Sequence, residues 1–355
     1  MRAPPPSPSR LQRIAADLFG TPLRVLATLL VCLLAGSLLW QVLDWAVLQA
    51  TFVPDSEVCR AHRQGACWGV VMEKWRALLF ARYPWEQQWR AAIAGVLLVV
   101  MTLTSGVPRC WRLSVLLPMW GGGLAWFVVL MRGGVLGLEE VPTNLWGGLP
   151  LTISLTVLGL SLAFPLALAL ALGRRSQWPV VRVLCATFIE LVRGVPLISV
   201  LFMASFLLPL IVPDFWKPDV FLRVLFAMVI FIAAYMAEVL RAGLQAVPSR
   251  QVDAARALGL GRWGVQRYVV LPQALRIAIP ALTNIVIGSL KDTSLVTVVG
   301  MFELTGALAW ALGGDVNWRP FYLEGYVFIA LLYWLMCTGL GRYGRWLEQY
   351  GVARR

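Results

Sequence analysis

The sequence predicts an all-α integral membrane protein with about eight transmembrane helices. Three observations carry that prediction. Of 355 residues, 59% are hydrophobic and only 14% are charged, too little charge to keep a soluble chain of this size in solution. The apolar residues gather into eight runs, most of them close to the ~18 to 20 residues that cross a bilayer core. Arginine collects between alternate runs, as topology-setting charge does, and the 17 Trp residues suit the headgroup level at the ends of spans.

The runs cover approximately residues 24–43, 91–106, 113–131, 149–172, 195–212, 221–240, 277–300 and 322–341. The second is short for a membrane helix, where ~17 to 25 residues is usual. Residues 1–20 are polar and Pro-rich and do not read as a cleaved signal, whereas the run that follows is long enough to span. With the N-terminus inside, the inner segments carry Arg2, Arg10, Arg13, Arg24, Arg109, Arg112, Arg174, Arg175, Arg182 and Arg193. They also carry the arginines from Arg241 to Arg276 and Arg342, Arg345, Arg354 and Arg355, while most acids fall on the other side. Positive charge inside then puts both termini in the cytoplasm.

The chain divides near residue 145. An N-terminal part, 1–144, holds about three spans and a long exterior loop, 44–90; the last five spans lie in 145–345. Cys32, Cys185 and Cys337 sit in apolar runs as small core residues. Cys59 and Cys67 share the exterior loop with His62, the only His in the chain. Three dissimilar ligands at unrelated spacings do not make a zinc site. The two thiols are either a disulfide, if the loop lies outside the inner membrane, or free.

Several function classes are excluded. The net charge of +13 is spread over short loops, without the single basic patch that nucleic-acid binding requires. The sequence contains no Gly-Lys dipeptide, so the phosphate-cradling loop of an ATPase is absent. Energy must come from another chain or from an ion gradient. With one His, no Ser/His/Asp or Cys/His constellation forms, and a membrane-embedded enzyme would need more clustered His, Asp or Glu.

Between the sixth and seventh runs lies a segment from about Arg241 to Arg276, far longer than the ~2 to 8 residues that usually join helices. Pro248 and Ser249 read as a helix start, with Ser249 as N-cap and Asp253 in the first turn. Ala254, Ala255 and Ala257 favour helix. Gly259 and Gly261 end it, since Gly accepts the left-handed conformation. A second short helix, 262–270, is expected to stop at Leu271-Pro272. The product is a small-sided, Arg-bordered knuckle, either shaped for a groove on another protein or lying as an interfacial hairpin.

Asp253-Ala254-Ala255, Gly259, Val269 and Leu271-Pro272 resemble the EAA loop of ABC importer permeases. That pattern is Glu-Ala-Ala, three residues, Gly, nine residues, Ile, one residue, Leu-Pro. The spacing agrees throughout, with Asp for Glu at 253 and Val for Ile at 269. Residues 151–156 (LTISLT), 193–197 (RGVPL), 237–241 (AEVLR) and 291–295 (KDTSL) are similar to the polar amino-acid uptake permeases, and most like the subunits of general L-amino-acid importers of Gram-negative bacteria. The resemblance covers about residues 145–345. It implies a type I ABC importer core of five helices in the bacterial inner membrane, with segment 243–276 as the coupling loop that docks on an ATPase subunit. It further implies a second permease subunit, leaning toward a sister protein, a pair of ATPase subunits that use ATP and Mg, and a periplasmic amino-acid-binding protein. The chain itself would bind no cofactor, catalyse nothing, and meet lipid rather than nucleic acid. The rival is an ion-gradient-driven secondary transporter, which predicts inverted repeats and interrupted helices; no clear repeat is visible.

Ionisable groups inside spans cost free energy and so tend to face a cavity or a partner. Lys291 and Asp292 lie deep in their run, with Thr293, Ser294 and Thr297 nearby. A zwitterion needs one partner for each charge, so this cluster is a candidate lining of the pathway; the other reading is a salt bridge to the partner permease. Glu238 and Arg241 share a helix face, and Glu238 either pairs with Arg241 or meets a substrate ammonium. Glu190 and Arg193 repeat that spacing just before Gly194-Val195-Pro196, where the chain is expected to kink.

Overall fold

The computed structural model describes Ser9, residues 17–62, 64–107, 112–213 and 217–352, and Cys110. Arg2, Arg10, Arg13, Arg109, Arg354 and Arg355 of the topology argument lie outside the described residues, as does most of the Pro-rich opening. The described residues form helices and turns and no strand. By contact the chain divides into two compact units, 1–73 and 74–355.

In the first unit, α1 (Pro22–Leu43) has Pro at its first position and Thr21 as N-cap, its hydroxyl accepting from the Arg24 N–H at 3.3 Å. A missing N–H and a fixed φ cost nothing there. α1 continues into a π turn, Asp44–Leu48, and none of its residues is buried, as suits a helix whose solvent is lipid. α2 (Ser56–Ala61) is capped by Asp55, which accepts from Glu57 N at 2.8 Å. Cys59 and Cys67 are joined as a disulfide with a Cα–Cα distance of 5.6 Å, so of the two states left open by the sequence the structure has the bridge. The Trp68 indole donates to the Ala46 carbonyl at 2.8 Å.

α3 (Gly69–Phe80) passes from the first unit into the second. There follow α4 (Gln88–Ser105), α5 (Leu113–Arg132), α6 (Gly148–Gly173), α7 (Pro179–Gly194), α8 (Leu197–Ile211) and α9 (Val220–Gln245). Next is α10 (Ser249–Ala257). A short α-helix Arg262–Gly264, a π turn Val265–Val270 and an α-helix Leu271–Asp292 then run on as one rod, α11, with a 3-10 stretch Thr293–Val299 at its end. α12 (Leu304–Gly313) and α13 (Tyr322–Val352) complete the described chain.

α6 and α9 form the centre of the second unit; α11 lies on α9, α13 on α11, and α4 lies against both α5 and α6. α6 buries Leu155, Gly159, Ala163, Ala167 and Ala171, spaced by four. α9 answers with Ala227, Ala233, Ala234 and Ala237. Small residues let backbones approach in lipid, where dispersion contacts rather than water exclusion hold helices together.

Among the described residues, seven helices are long and apolar enough to cross a membrane, and eight if one bent pair counts as a single span. That agrees with the predicted class while moving several boundaries. The second span starts earlier than residue 91, at a 3-10 turn Trp85–Gln87 that leads into α4. The fifth run is the second arm of the bent pair, α7 and α8, which meet at 101°. The break falls at Val195-Pro196, where the residue before a proline is pushed out of the helical region. The seventh run is not one helix: its α-helical part ends at Asp292. Thr293, Val296, Thr297, Val298 and Val299 are β-branched and favour helix weakly, and the Thr293 hydroxyl donates to the Leu290 carbonyl at 2.7 Å.

Candidate coupling loop and transport cleft

α10 starts from an extended Pro248 that serves as N-cap without a side-chain bond. Ser249 is therefore the first helical residue rather than the cap, and Asp253 lies in the second turn, where it faces Arg256 at 3.5 Å on an exposed surface. The helix ends as the sequence predicts. Gly259 has φ +81°, its N–H bonds the Arg256 carbonyl at 2.9 Å, and Leu260 N bonds the Ala255 carbonyl at 3.2 Å. These are the paired bonds of a Schellman turn, which needs a residue at positive φ. The chain then reverses into α11.

Leu271-Pro272 does not break α11. A proline ring strikes the carbonyl four residues back, here Tyr268, and that residue sits inside the π turn Val265–Val270. The wider turn moves the carbonyl aside, so the rod continues. Ala255, Val265 and Val270 are buried and anchor the loop. Leu258, Trp263 and Tyr268 project outward at 83%, 82% and 68% exposure. Gln273 Nε2 donates to Gln251 Oε1 at 2.6 Å, tying α10 to α11. Arg262 Nη1 reaches Gln177 Oε1 in the α6–α7 turn at 2.7 Å, and Arg175 Nη1 reaches the Leu244 carbonyl at the end of α9 at 3.0 Å.

A cleft of about 280 Å³ opens between α9 and α11, lined by Phe231, Ile232, Tyr235, Ile285, Gly288, Ser289 and Asp292. The Phe231 and Tyr235 rings, one turn apart, have centroids 4.9 Å apart. Of the predicted pathway residues, Asp292 lines this cleft. Lys291 is exposed beside it and Ser294 is half-buried. Thr293 is buried and bonds its own helix, and Thr297 donates to Glu303 at 3.3 Å.

Glu238 stands below the cleft in a cluster of charges. Arg241 bonds both of its oxygens, through Nε at 2.9 Å and through Nη2. Arg174 Nη1 donates at 3.1 Å, and Arg193 Nη1 lies 3.9 Å away. The expected Glu238–Arg241 pair is therefore present within a larger group. Glu190 pairs with Arg174 at 2.8 Å and not with Arg193, whose guanidinium lies 5.4 Å from the Tyr235 ring centroid. The bend after α7 turns Arg193 toward α9, which no helix-face spacing foretells.

Sequence reasoning missed Glu303. Its side chain is 0% exposed and caps α12, accepting from Thr305 N at 2.9 Å and Gly306 N at 2.8 Å. The Tyr333 hydroxyl of α13 donates to it at 2.9 Å, and Thr152 of α6 lies at 3.5 Å. Glu is not a usual N-cap residue, so no local signal marks Glu303, and its partners on α6 and α13 lie far away in sequence. Among the described residues, no group of three or more His, Cys, Asp or Glu is arranged to hold a metal.

The segment from the second half of α6 onward, with its membrane helices and the α10 knuckle, matches the family described as "Binding-protein-dependent transport system inner membrane component" over residues 163–350. The chain belongs to this family. It is thus a multi-pass inner-membrane component of a binding-protein-dependent transport system, and the α10 loop, cleft, Glu238 cluster and Glu303 all fall within the matched stretch. It is 42% identical to the inner membrane amino-acid ABC transporter permease protein YhdY of Escherichia coli (strain K12), over 88% of this chain and 86% of that one. It is 32% identical to the glutamate/glutamine/aspartate/asparagine transport system permease protein BztC of Rhodobacter capsulatus, over 98% and 96%. A crystal structure of an amino acid ABC transporter with histidines superimposes with a TM-score of 0.50 at 32% identity, covering 57% of this chain and 94% of that one. The all-helical membrane fold with a C-terminal importer core is the one these matches support. The gradient-driven alternative receives no support from them.

Proposed function

We propose that this family member is the permease subunit of an ATP-driven importer, forming the path by which polar or general L-amino acids cross the bacterial inner membrane. The observation that carries this reading is the knuckle of α10. Its Schellman turn presents Leu258 and Trp263, 83% and 82% exposed, among Arg250, Arg256, Arg262 and Arg267. Large apolar side chains held out between charges mark a protein contact. Asp253, Ala254, Ala255, Gly259, Val269, Leu271 and Pro272 shape the element that enters a groove on a separate ATPase subunit. That subunit uses ATP and Mg, and this chain binds no cofactor.

The knuckle then lies in the cytoplasm, as do both termini. Residues 145–345 act as the permease domain, paired with a sister permease, and 1–144 as an extension before it. The amino-acid substrate is supported by the relatives, which are amino-acid permeases, and by the chemistry of the cleft. A carboxylate at Asp292 beside the Phe231 and Tyr235 rings suits an ammonium group, and Lys291 at the next position suits a carboxylate. A periplasmic binding protein delivers the amino acid at the opposite end. A push on α10 passes through the Gln251–Gln273 bond to α11, which carries Asp292, and through Arg262 and Arg175 to α7 and α9. Alternating access follows if these helices rock as bodies about the cleft.

The test is co-purification of the complex expressed with its genomic neighbours, wild type beside Gly259→Val. A β-branched residue at φ +81° is strained whatever the space around it. An ATPase subunit retained by wild type and lost or uncoupled in the variant is the expected result. Absence of any ATPase from the wild-type complex would refute the importer reading.

A further inference from the structure

The end of the second unit farthest from α10 is gripped by residues that precede the family-matched stretch. The last turns of α3 lie so close to the start of α6 that side chains are excluded: a Cβ on Gly148 would stand 2.0 Å from the Leu79 carbonyl oxygen, and one on Gly147 would stand 2.6 Å from the Ala81 Cβ. Gly148, at φ +63°, donates its N–H to the Phe302 carbonyl at 2.7 Å, which seats the start of α6 beside the start of α12. The Arg82 guanidinium lies over the Phe302 ring at 4.2 Å. Lys74 Nζ meets Asp315 Oδ2 at 2.8 Å in the turn after α12. The Tyr83 hydroxyl donates to the Met131 carbonyl of α5 at 2.9 Å. One short segment thus holds both ends of α12, the start of α6 and the end of α5. Phe302 leads directly into Glu303, which bonds Thr297 in the 3-10 stretch beyond Asp292.

We propose that residues 74–83 are a clamp on the outer mouth of the pathway, with Lys74 and Arg82 as positioning residues that hold α12 against α6 in the resting state. This rests on the importer reading and adds a role for the segment before the permease core. Outward opening that separates the α6 and α12 ends works against this grip. An ion pair and a cation–π contact are each weak, which suits a closure that has to yield in every cycle. Loosening the clamp raises the share of complexes that open without a delivered substrate.

The experiment reconstitutes the whole complex in liposomes and measures ATP hydrolysis with and without added binding protein. Lys74→Ala and Arg82→Ala should each raise hydrolysis in the absence of binding protein by about threefold, the population shift that one such contact supplies, and so lower the stimulation ratio. The double variant Lys74→Asp with Asp315→Lys should return the ratio toward wild type, a recovery that loss of folding would not give. Assembled Lys74→Ala and Arg82→Ala complexes with the wild-type ratio would overturn the clamp while leaving the importer reading intact. A charge swap that behaves like Lys74→Ala would also overturn it. Wild type that hydrolyses no ATP would sink the importer reading, and the clamp with it, since there would be no stroke to oppose.

Discussion

Replacing Glu303 by alanine removes a carboxylate that four helical elements share. Two backbone donors at the start of α12, Thr305 N and Gly306 N, lose their acceptor, and loss of an N-cap costs ~1 to 2 kcal/mol. The Tyr333 hydroxyl, 2.9 Å from the carboxylate, and Thr297 at 3.3 Å are left to find new partners. A buried polar group without one costs ~1 to 3 kcal/mol. Together the loss is about 3 to 5 kcal/mol, since the terms share one cavity and do not fully add. Glu303→Gln keeps the shape and one carbonyl oxygen for the α12 amides, so it should lose much less. The assay is the thermal midpoint of the detergent-purified protein, in the order wild type, Gln variant, Ala variant. For a domain of ~150 to 250 residues about 1 kcal/mol moves the midpoint by ~2 to 4 °C, so the alanine variant should fall by several degrees or more. An alanine variant that melts with wild type would show that the cap and its cross-links carry no stability, and the reasoning would fail.

Two further outcomes are expected. Asp292→Asn should weaken amino-acid uptake in vesicles by about tenfold or more, the lower end of what a charge-assisted bond supplies; unchanged uptake would remove Asp292 from the pathway. At Asp315 the hydrogen bond from Lys74, opposed in part by desolvation, holds the carboxyl below its ordinary value. A depressed carboxyl contributes stability above its unfolded value of about 3.9 and loses it as pH falls through the folded one. The difference in thermal midpoint between wild type and Asp315→Asn should therefore stay level from about pH 7 to 5 and vanish in stronger acid. A difference already shrinking between pH 7 and 5 would contradict the Lys74 pairing.

Much of the architecture was legible because it rests on local signals. Apolar runs report lipid-facing helices whatever they pack against, and Gly259 could be read as a left-handed stop because conformational freedom belongs to the residue itself. Arg182, Glu190 and Arg193 interrupt any apolar run across α7, yet its amphipathic pattern forms a regular helix of 16 residues. Spacing alone paired Glu190 with Arg193, one turn away. The 101° bend between α7 and α8 and the closeness of α6 instead gave Glu190 to Arg174 and brought Arg193 to Glu238.

By itself the sequence determined the helical membrane class and the place of the α10 knuckle, because hydrophobic length and glycine stereochemistry are properties of short stretches. Only the tertiary structure decided where the charges meet. Glu238 and Arg174 are 64 residues apart, and Glu303 and Thr152 are 151 apart. No periodicity encodes such pairs; they exist because small-residue faces on α6 and α9 let the helices close to contact, and that closure chooses the partners.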